Sequence, residues 1–245
     1  MTGTSGDVGI EARTVNADRG LGWWTDAWAL FTKSALLWVA LAVILIVCFA
    51  LMSMVPLLGA LATALLTPVF IGSWMLAARK VDTGGVLEIA DLFTCFKGDR
   101  LTPLLVQGAL LAAAFVVMGL VAGVLGFGAL FGMAAGGMHQ NAGGMLAALG
   151  AGMAALLVLM GLGVVLSLAL WFAPALVVFR NAQAVDALRI SALAALKNWL
   201  PFLVYGLIYI VAAIVASIPF GLGWIVLVPV VLLTMYESYR DIFGA

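Results

Sequence analysis

Apolar residues run in six long blocks, at about residues 34–55, 57–78, 101–131, 145–179, 199–218 and 221–239. Each approaches or exceeds the ~20 residues an α-helix needs to cross a hydrocarbon layer. That layer offers no water to backbone N–H and C=O groups, so a spanning block has to be a helix. A membrane β-barrel would show short alternating segments instead, and the chain has none. Three shorter stretches follow a different rule, with apolar and polar residues on opposite helical faces. Residues 21–33 set Trp23, Trp24, Ala27, Trp28 and Phe31 against Asp26. Residues 86–97 set Leu87, Ala90, Phe93 and Phe96 against Glu88 and Asp91, and residues 185–197 set Leu188, Ala192 and Leu196 against Asp186, Arg189 and Ser191. Each stretch precedes a pair of blocks and predicts a helix lying in the membrane interface, a depth that suits tryptophan with its apolar ring and polar N–H.

Composition strengthens the membrane reading. The 245 residues are 66% hydrophobic and 9% charged, against about 45–50% and about 25% for an ordinary soluble domain. A water-soluble fold of this size could not hide that much apolar surface. Residues 101–179 contain no Asp, Glu, Lys or Arg. The charges fall in residues 1–33, 79–100, 180–197 and 237–241, whereas the links at Val55-Pro56, 132–144 and Ile218-Pro219-Phe220-Gly221 have none. By the positive-inside rule this predicts six spans in three hairpins with both termini in the cytoplasm. Residues 1–20 are polar and lack the apolar core of a secretory signal, so they are expected to be a disordered tail, with residues 21–245 one transmembrane domain. The net charge is zero, and nucleic acid is not an expected partner. The cysteines, Cys48 and Cys95, occupy different depths and do not suggest a disulfide.

The hairpins suggest a parallel threefold repeat. Trp38, Pro68 and Arg79 match Trp199, Pro229 and Arg240 at one offset; Pro56 matches Pro219 two residues later, and Pro103 and Gly108 match Pro201 and Gly206. Similar composition of apolar helices is the competing explanation.

Candidate chemistry is sparse. Pumps and many transporters keep ionisable groups inside the bundle, and here Glu237 is the nearest instance. It stands three residues from Arg240, so an ion pair at the membrane surface suffices to explain it. The histidine, His139, falls in the link opposite every carboxylate, which precludes a Ser-His-Asp arrangement. No HExxH, CxxC or phosphate loop occurs, and Gly126-Phe127-Gly128 and Gly221-Leu222-Gly223 read as fragments of apolar helices. Met133, Met138, His139 and Met145 offer soft ligands of the kind Cu(I) takes, with a flexible uncharged loop as the alternative. Glycines at 119, 123, 128, 132 and 136, then 150, 152, 161 and 163, suit close helix packing within the bundle, or else a groove for lipid or a partner. Pro68, Pro174 and Pro229 predict bends. Arg79, Lys80, Lys97, Arg100, Arg180, Arg189 and Lys197 would ring one face, where they anchor helix ends and attract anionic lipid.

Three stretches carry a resemblance: Trp171-Phe172-Ala173-Pro174-Ala175-Leu176-Val177-Val178, Asn198-Trp199-Leu200-Pro201-Phe202-Leu203, and Ser238-Tyr239-Arg240-Asp241-Ile242-Phe243. Across residues 12–243 the chain resembles a family of polytopic inner-membrane proteins of Gram-negative bacteria that has no agreed activity. It is also similar to the membrane portion fused to some glycerophosphodiesterases, without their catalytic domain. The resemblance implies fold and location, and no functional residues.

The expectation is therefore an all-α membrane bundle without catalytic, metal or cofactor residues. It would bind membrane lipids, and a protein partner or second copy, through its inner face. The alternative is a transporter or channel for an apolar or neutral solute, which a continuous cavity lined by Ser53, Thr63, Ser73, Gln107, Ser167 or Tyr205 would favour; a sealed core would favour binding.

Overall fold

A computed structural model describes residues 10–138 and 142–244. Among them there is no strand, and nine α-helices run in the order α1 (Arg19–Thr32), α2 (Ala35–Ser53), α3 (Leu58–Asp82), α4 (Leu101–Met138), α5 (Ala142–Trp171), α6 (Ala173–Arg180), α7 (Ala184–Lys197), α8 (Trp199–Ser217) and α9 (Trp224–Phe243), with a 3-10 helix at Ile89–Phe96 between α3 and α4. Among the described residues five segments are long and apolar enough to cross a membrane: Ala35–Ser53, Leu58–Asp82, Leu101–Ala134, Gly143–Arg180 and Trp199–Ser217. The sixth apolar block forms α9, of similar length, but its last two turns hold Glu237, Arg240 and Asp241.

The block expected at 145–179 is not one rod. The helix breaks at Phe172, where Pro174 cannot donate a backbone hydrogen bond and starts a new helix, α6. Ser191 of α7 holds the break: it is fully buried, its hydroxyl accepts from the Phe172 N–H at 2.9 Å, and it donates to the Leu168 carbonyl at 2.8 Å. Placing Ser191 on the polar face of its stretch was therefore wrong; a hydroxyl that replaces a lost helical bond is drawn inward. Pro68 and Pro229 lie inside continuous helices.

The hairpin links are tighter than the hydropathy pattern suggests. The 132–144 link shrinks because helix continues to Met138 and resumes at Ala142. The link at 55–57 is a γ-turn: the Leu58 N–H donates to the Pro56 carbonyl at 2.7 Å, and Leu57 has φ 61 and ψ −58. Gly221, Leu222 and Gly223 form a turn before α9 rather than a helix, and Phe220 there also has a positive φ of 53. In both hairpins a glycine opens the returning arm. A Cβ on Gly59 would overlap the Met52 carbonyl, and one on Gly223 would overlap the backbone of Ala216.

The three amphipathic stretches pack their inward faces on the bundle's own helices. On α1, Trp23, Ala27, Leu30 and Phe31 are buried against α8 and α9, while Trp28 is exposed. On α7, Ala187, Ser191 and Ala194 are buried and Leu196 is exposed. Within residues 86–97 a 3-10 helix forms at Ile89–Phe96, whose period of three turns Leu92 and Cys95 inward and leaves Ala90 and Phe93 exposed. Of the α-helical face expected there, Leu87 is buried and Phe96 half-buried.

Tight bundle packing by the glycine series also fails. An added Cβ on Gly119, Gly123, Gly126, Gly128, Gly150 or Gly161 would meet nothing within 4 Å, whereas one on Gly132 would close on Ala148 of the facing helix. The true close approach lies elsewhere, at Gly108, where a Cβ would overlap the Leu65 backbone. The reason is length. α3 begins at Leu58, and Leu57 and Ala60 beside it line a cavity with Phe115, Val116 and Met118 of α4. From there α4 runs on through residues 119–138, about 30 Å at 1.5 Å per residue, beside α5 and with apolar side chains such as Phe127 and Phe131 exposed.

Of the proposed repeat, Pro68 and Pro229 share a buried helical setting. Pro56 and Pro219 also correspond, both exposed in the turn that closes a hairpin, whereas Trp38 is fully buried and Trp199 is 59% exposed, and Gly206 has none of the close backbone approach of Gly108.

Candidate functional site

Charged side chains of the described residues gather at one end of the bundle because the helices place them at matching termini. Arg19 on α1 contacts Asp26 at 2.9 Å and Asp241 on α9 at 2.6 Å, and the same Asp241 oxygen accepts the Trp23 indole N–H at 3.0 Å. The Asp241 hydrogen bond holds the Arg19 guanidinium above its ordinary pKa. Asp82, at the end of α3, accepts from Arg240 at 2.6 Å and from the Tyr236 hydroxyl at 3.0 Å. Arg240 also pairs with Glu237 at 3.0 Å, so the expected i, i+3 pair forms; Glu237 is only 3% exposed, deeper than a surface position. Lys80 bonds both Asp91 oxygens at 3.0 Å and lies 3.6 Å from Glu88, whose carboxylate and that of Asp91 form a reciprocal cap on the 3-10 helix.

The N-terminal segment is tied to the same end. The Arg13 N–H donates to the Ile242 carbonyl at 2.8 Å, and the buried Asn198 side chain accepts from the Val15 N–H at 2.8 Å and donates to the Arg13 carbonyl at 2.9 Å. Residues 1–9 of the expected tail lie outside the described residues. Sequence reading missed Asn198 and Ser191 because a single polar residue carries no periodicity of its own. A polar residue directly at a helix boundary is the signal that would have found Asn198.

Acids and bases are not treated alike. Of the basic ring, Arg79 lies over the Phe179 ring at 5.2 Å, Arg180 donates to the Phe243 carbonyl at 2.9 Å, and Lys197 donates to the Ala12 carbonyl at 2.8 Å. Lys97, Arg100 and Arg189 are exposed and form no ion pair among the described residues. Arg100 lines a groove of about 550 Å³ with Asp99, Thr102, Val106, Val177 and Gln183. This groove joins the start of α4 to the link between α6 and α7, so Asp91 and Asp186 stand at the same end of the molecule. Cys95, just before it, is buried, and burial pushes its thiol pKa up. Both cysteines are free.

The six polar residues named for a continuous cavity divide into two groups. Ser73, Gln107 and Tyr205 are sealed in the core: Ser73 accepts from the Cys95 N–H at 3.0 Å, Gln107 donates to the Ala173 carbonyl at 3.1 Å, and the Tyr205 hydroxyl accepts from Thr234 at 3.2 Å. Ser53, Thr63 and Ser167 line a half-enclosed cavity of about 910 Å³ at the opposite end, beside the 55–57 turn. Ser73 and Gln107 are fully buried, and so are Leu104 and the rings of Trp38 and Trp74, 5.1 Å apart, which lie further toward the charged end. The cavity is therefore not continuous with the charged end. Among the described residues no cluster of three His, Cys, Asp or Glu could hold a metal. His139, central to the Cu(I) reading, lies outside them.

No protein-family model matches the chain. No solved structure matches it either. Among curated proteins it is similar to a "Probable inner membrane protein" of Burkholderia thailandensis, at 28% identity over 94% of this chain and 93% of that one. The chain is a helical membrane protein. Its several apolar helices and the full-length match to an inner-membrane relative agree on that much.

Proposed function

We propose that the protein is a non-enzymatic component of the bacterial inner membrane that binds anionic lipid or a partner protein through its charged end. The observation that carries this is the unequal pairing there: the buried and half-buried acids have basic partners, while Lys97, Arg100 and Arg189 face outward without one. Each such cation near an anionic membrane surface contributes about 1 kcal/mol of attraction. In this reading the charged end is cytoplasmic, both termini lie there, and α9 is the sixth span. The sealed core around Trp38, Trp74 and Gln107 supports binding over transport.

Native mass spectrometry of the protein released from mild detergent tests the reading. The expected result is retained phosphatidylglycerol or cardiolipin, or a partner at fixed stoichiometry, reduced at least fivefold in the combined Lys97→Gln, Arg100→Gln, Arg189→Gln variant. Retention of neither, together with flux of a neutral solute into protein-containing liposomes, would establish the transport alternative.

A further inference from the structure

The cavity at the other end has its own chemistry. α2 and α3 supply Ser53, Leu57, Leu61 and Thr67, and α4 and α5 supply Phe115 and Ser167. Three of its hydroxyls already donate within their own helices: Ser53 to Ala50 at 2.7 Å, Thr67 to Thr63 at 2.6 Å and Ser167 to Gly163 at 2.8 Å. The walls carry no ionisable side chain. With those protons committed, these hydroxyls offer the space only acceptor lone pairs, and most of the remaining lining is apolar. Its volume of about 910 Å³ lies within the range of ligand pockets. Its lining includes Leu61, Phe115 and Val116, which are exposed apolar side chains on two segments long and apolar enough to cross a membrane. In a bilayer such side chains meet hydrocarbon chains.

We propose that this cavity holds one acyl chain of a membrane phospholipid, taken laterally from the bilayer. The small residues Ala112 and Gly163 keep the space open: Gly163 has only the Met118 methyl within 4.0 Å of where a Cβ would stand. The ligand is selected by chain rather than headgroup. The site is therefore distinct from the charged end and stands or falls separately.

The test uses the wild-type protein in phosphatidylethanolamine and phosphatidylglycerol vesicles containing a phospholipid with a mid-chain diazirine. After irradiation and peptide mapping, adducts on residues 111–118 and 163–170 are expected to exceed those on the exposed α8 face, at Leu203, Leu207 and Ile210, by at least fivefold. Filling the space with Ala112→Trp or Gly163→Leu should remove that excess while labelling of α8 is unchanged. Equal labelling of the two faces overturns the proposal. So does an excess that survives both filling variants, or an unlabelled cavity in a protein that runs as a dimer.

Discussion

At the residue scale the strongest constraints are steric and electrostatic. Gly59 and Gly223 stand where a methyl group would enter the backbone of the opposite arm, and inserting atoms into such a contact costs about 1–3 kcal/mol. Gly59→Ala and Gly223→Ala should each lower the midpoint of thermal unfolding in detergent, whereas Gly123→Ala, with open space around it, should not. Leu57 is held in the strained conformation of a γ-turn, at a cost of about 1–3 kcal/mol; Leu57→Gly is expected to leave stability unchanged or raise it slightly. Arg240 bridges two carboxylates, so its loss strands the buried Glu237 and leaves Asp82 with the Tyr236 hydroxyl alone. Arg240→Met should destabilise by about 3–5 kcal/mol, clearly more than Glu237→Gln, which leaves Arg240 paired with Asp82; denaturant titration followed by tryptophan fluorescence compares them. The raised pKa of Cys95 and its burial predict slow maleimide labelling at pH 7.5. A raised pKa means less thiolate at neutral pH, so the rate should climb with pH and become fast only on unfolding.

At the level of elements, amphipathic stretches that read as interfacial helices prove to be packing elements as well. α1 inserts Trp23 between α8 and α9, within 5.3 Å of the Phe202 ring, whereas Trp28 stays outside. Truncating a buried tryptophan costs about 3–5 kcal/mol, so Trp23→Ala should unfold at a markedly lower temperature than Trp28→Ala. The sequence made the presence of α1, α7 and the long helices legible, because hydropathy reports which solvent a segment meets. It did not reveal which apolar residues face protein and which face lipid, since both faces of a buried membrane helix are apolar. Trp28 and Leu196 looked like Trp23 and Leu188 in the pattern, and only tertiary contacts separate them. The break at Phe172 was half legible: Pro174 marked it, but Ser191, which stabilises it, is 17 residues further along the chain and has no local signature.

For the whole molecule, the collection of charge at one end was readable from sequence because burying unpaired charge in hydrocarbon is too costly to be tolerated. The candidate site was less so: Ser53, Thr63 and Ser167 were named, but their separation from Ser73, Gln107 and Tyr205 depends on how helices pack. With the N-terminal segment bonded to Ile242, both ends of the described chain lie on one side. Alkaline phosphatase fused at Gln140 should be active, and at the C-terminus inactive; equal activity at both sites would refute the six-span reading.

The reach of α4 has a mechanical consequence. Its 38 residues measure about 57 Å and the 19 of α2 about 29 Å, while the fatty interior of a bilayer is about 30 Å deep. One flank of the molecule fits that depth and the other is nearly twice too tall. The α4–α5 pair must lean steeply, or the leaflets beside it must stretch to cover it. Either adjustment costs free energy that varies with the depth of the bilayer, so the protein's position along a cell should depend on local bilayer thickness.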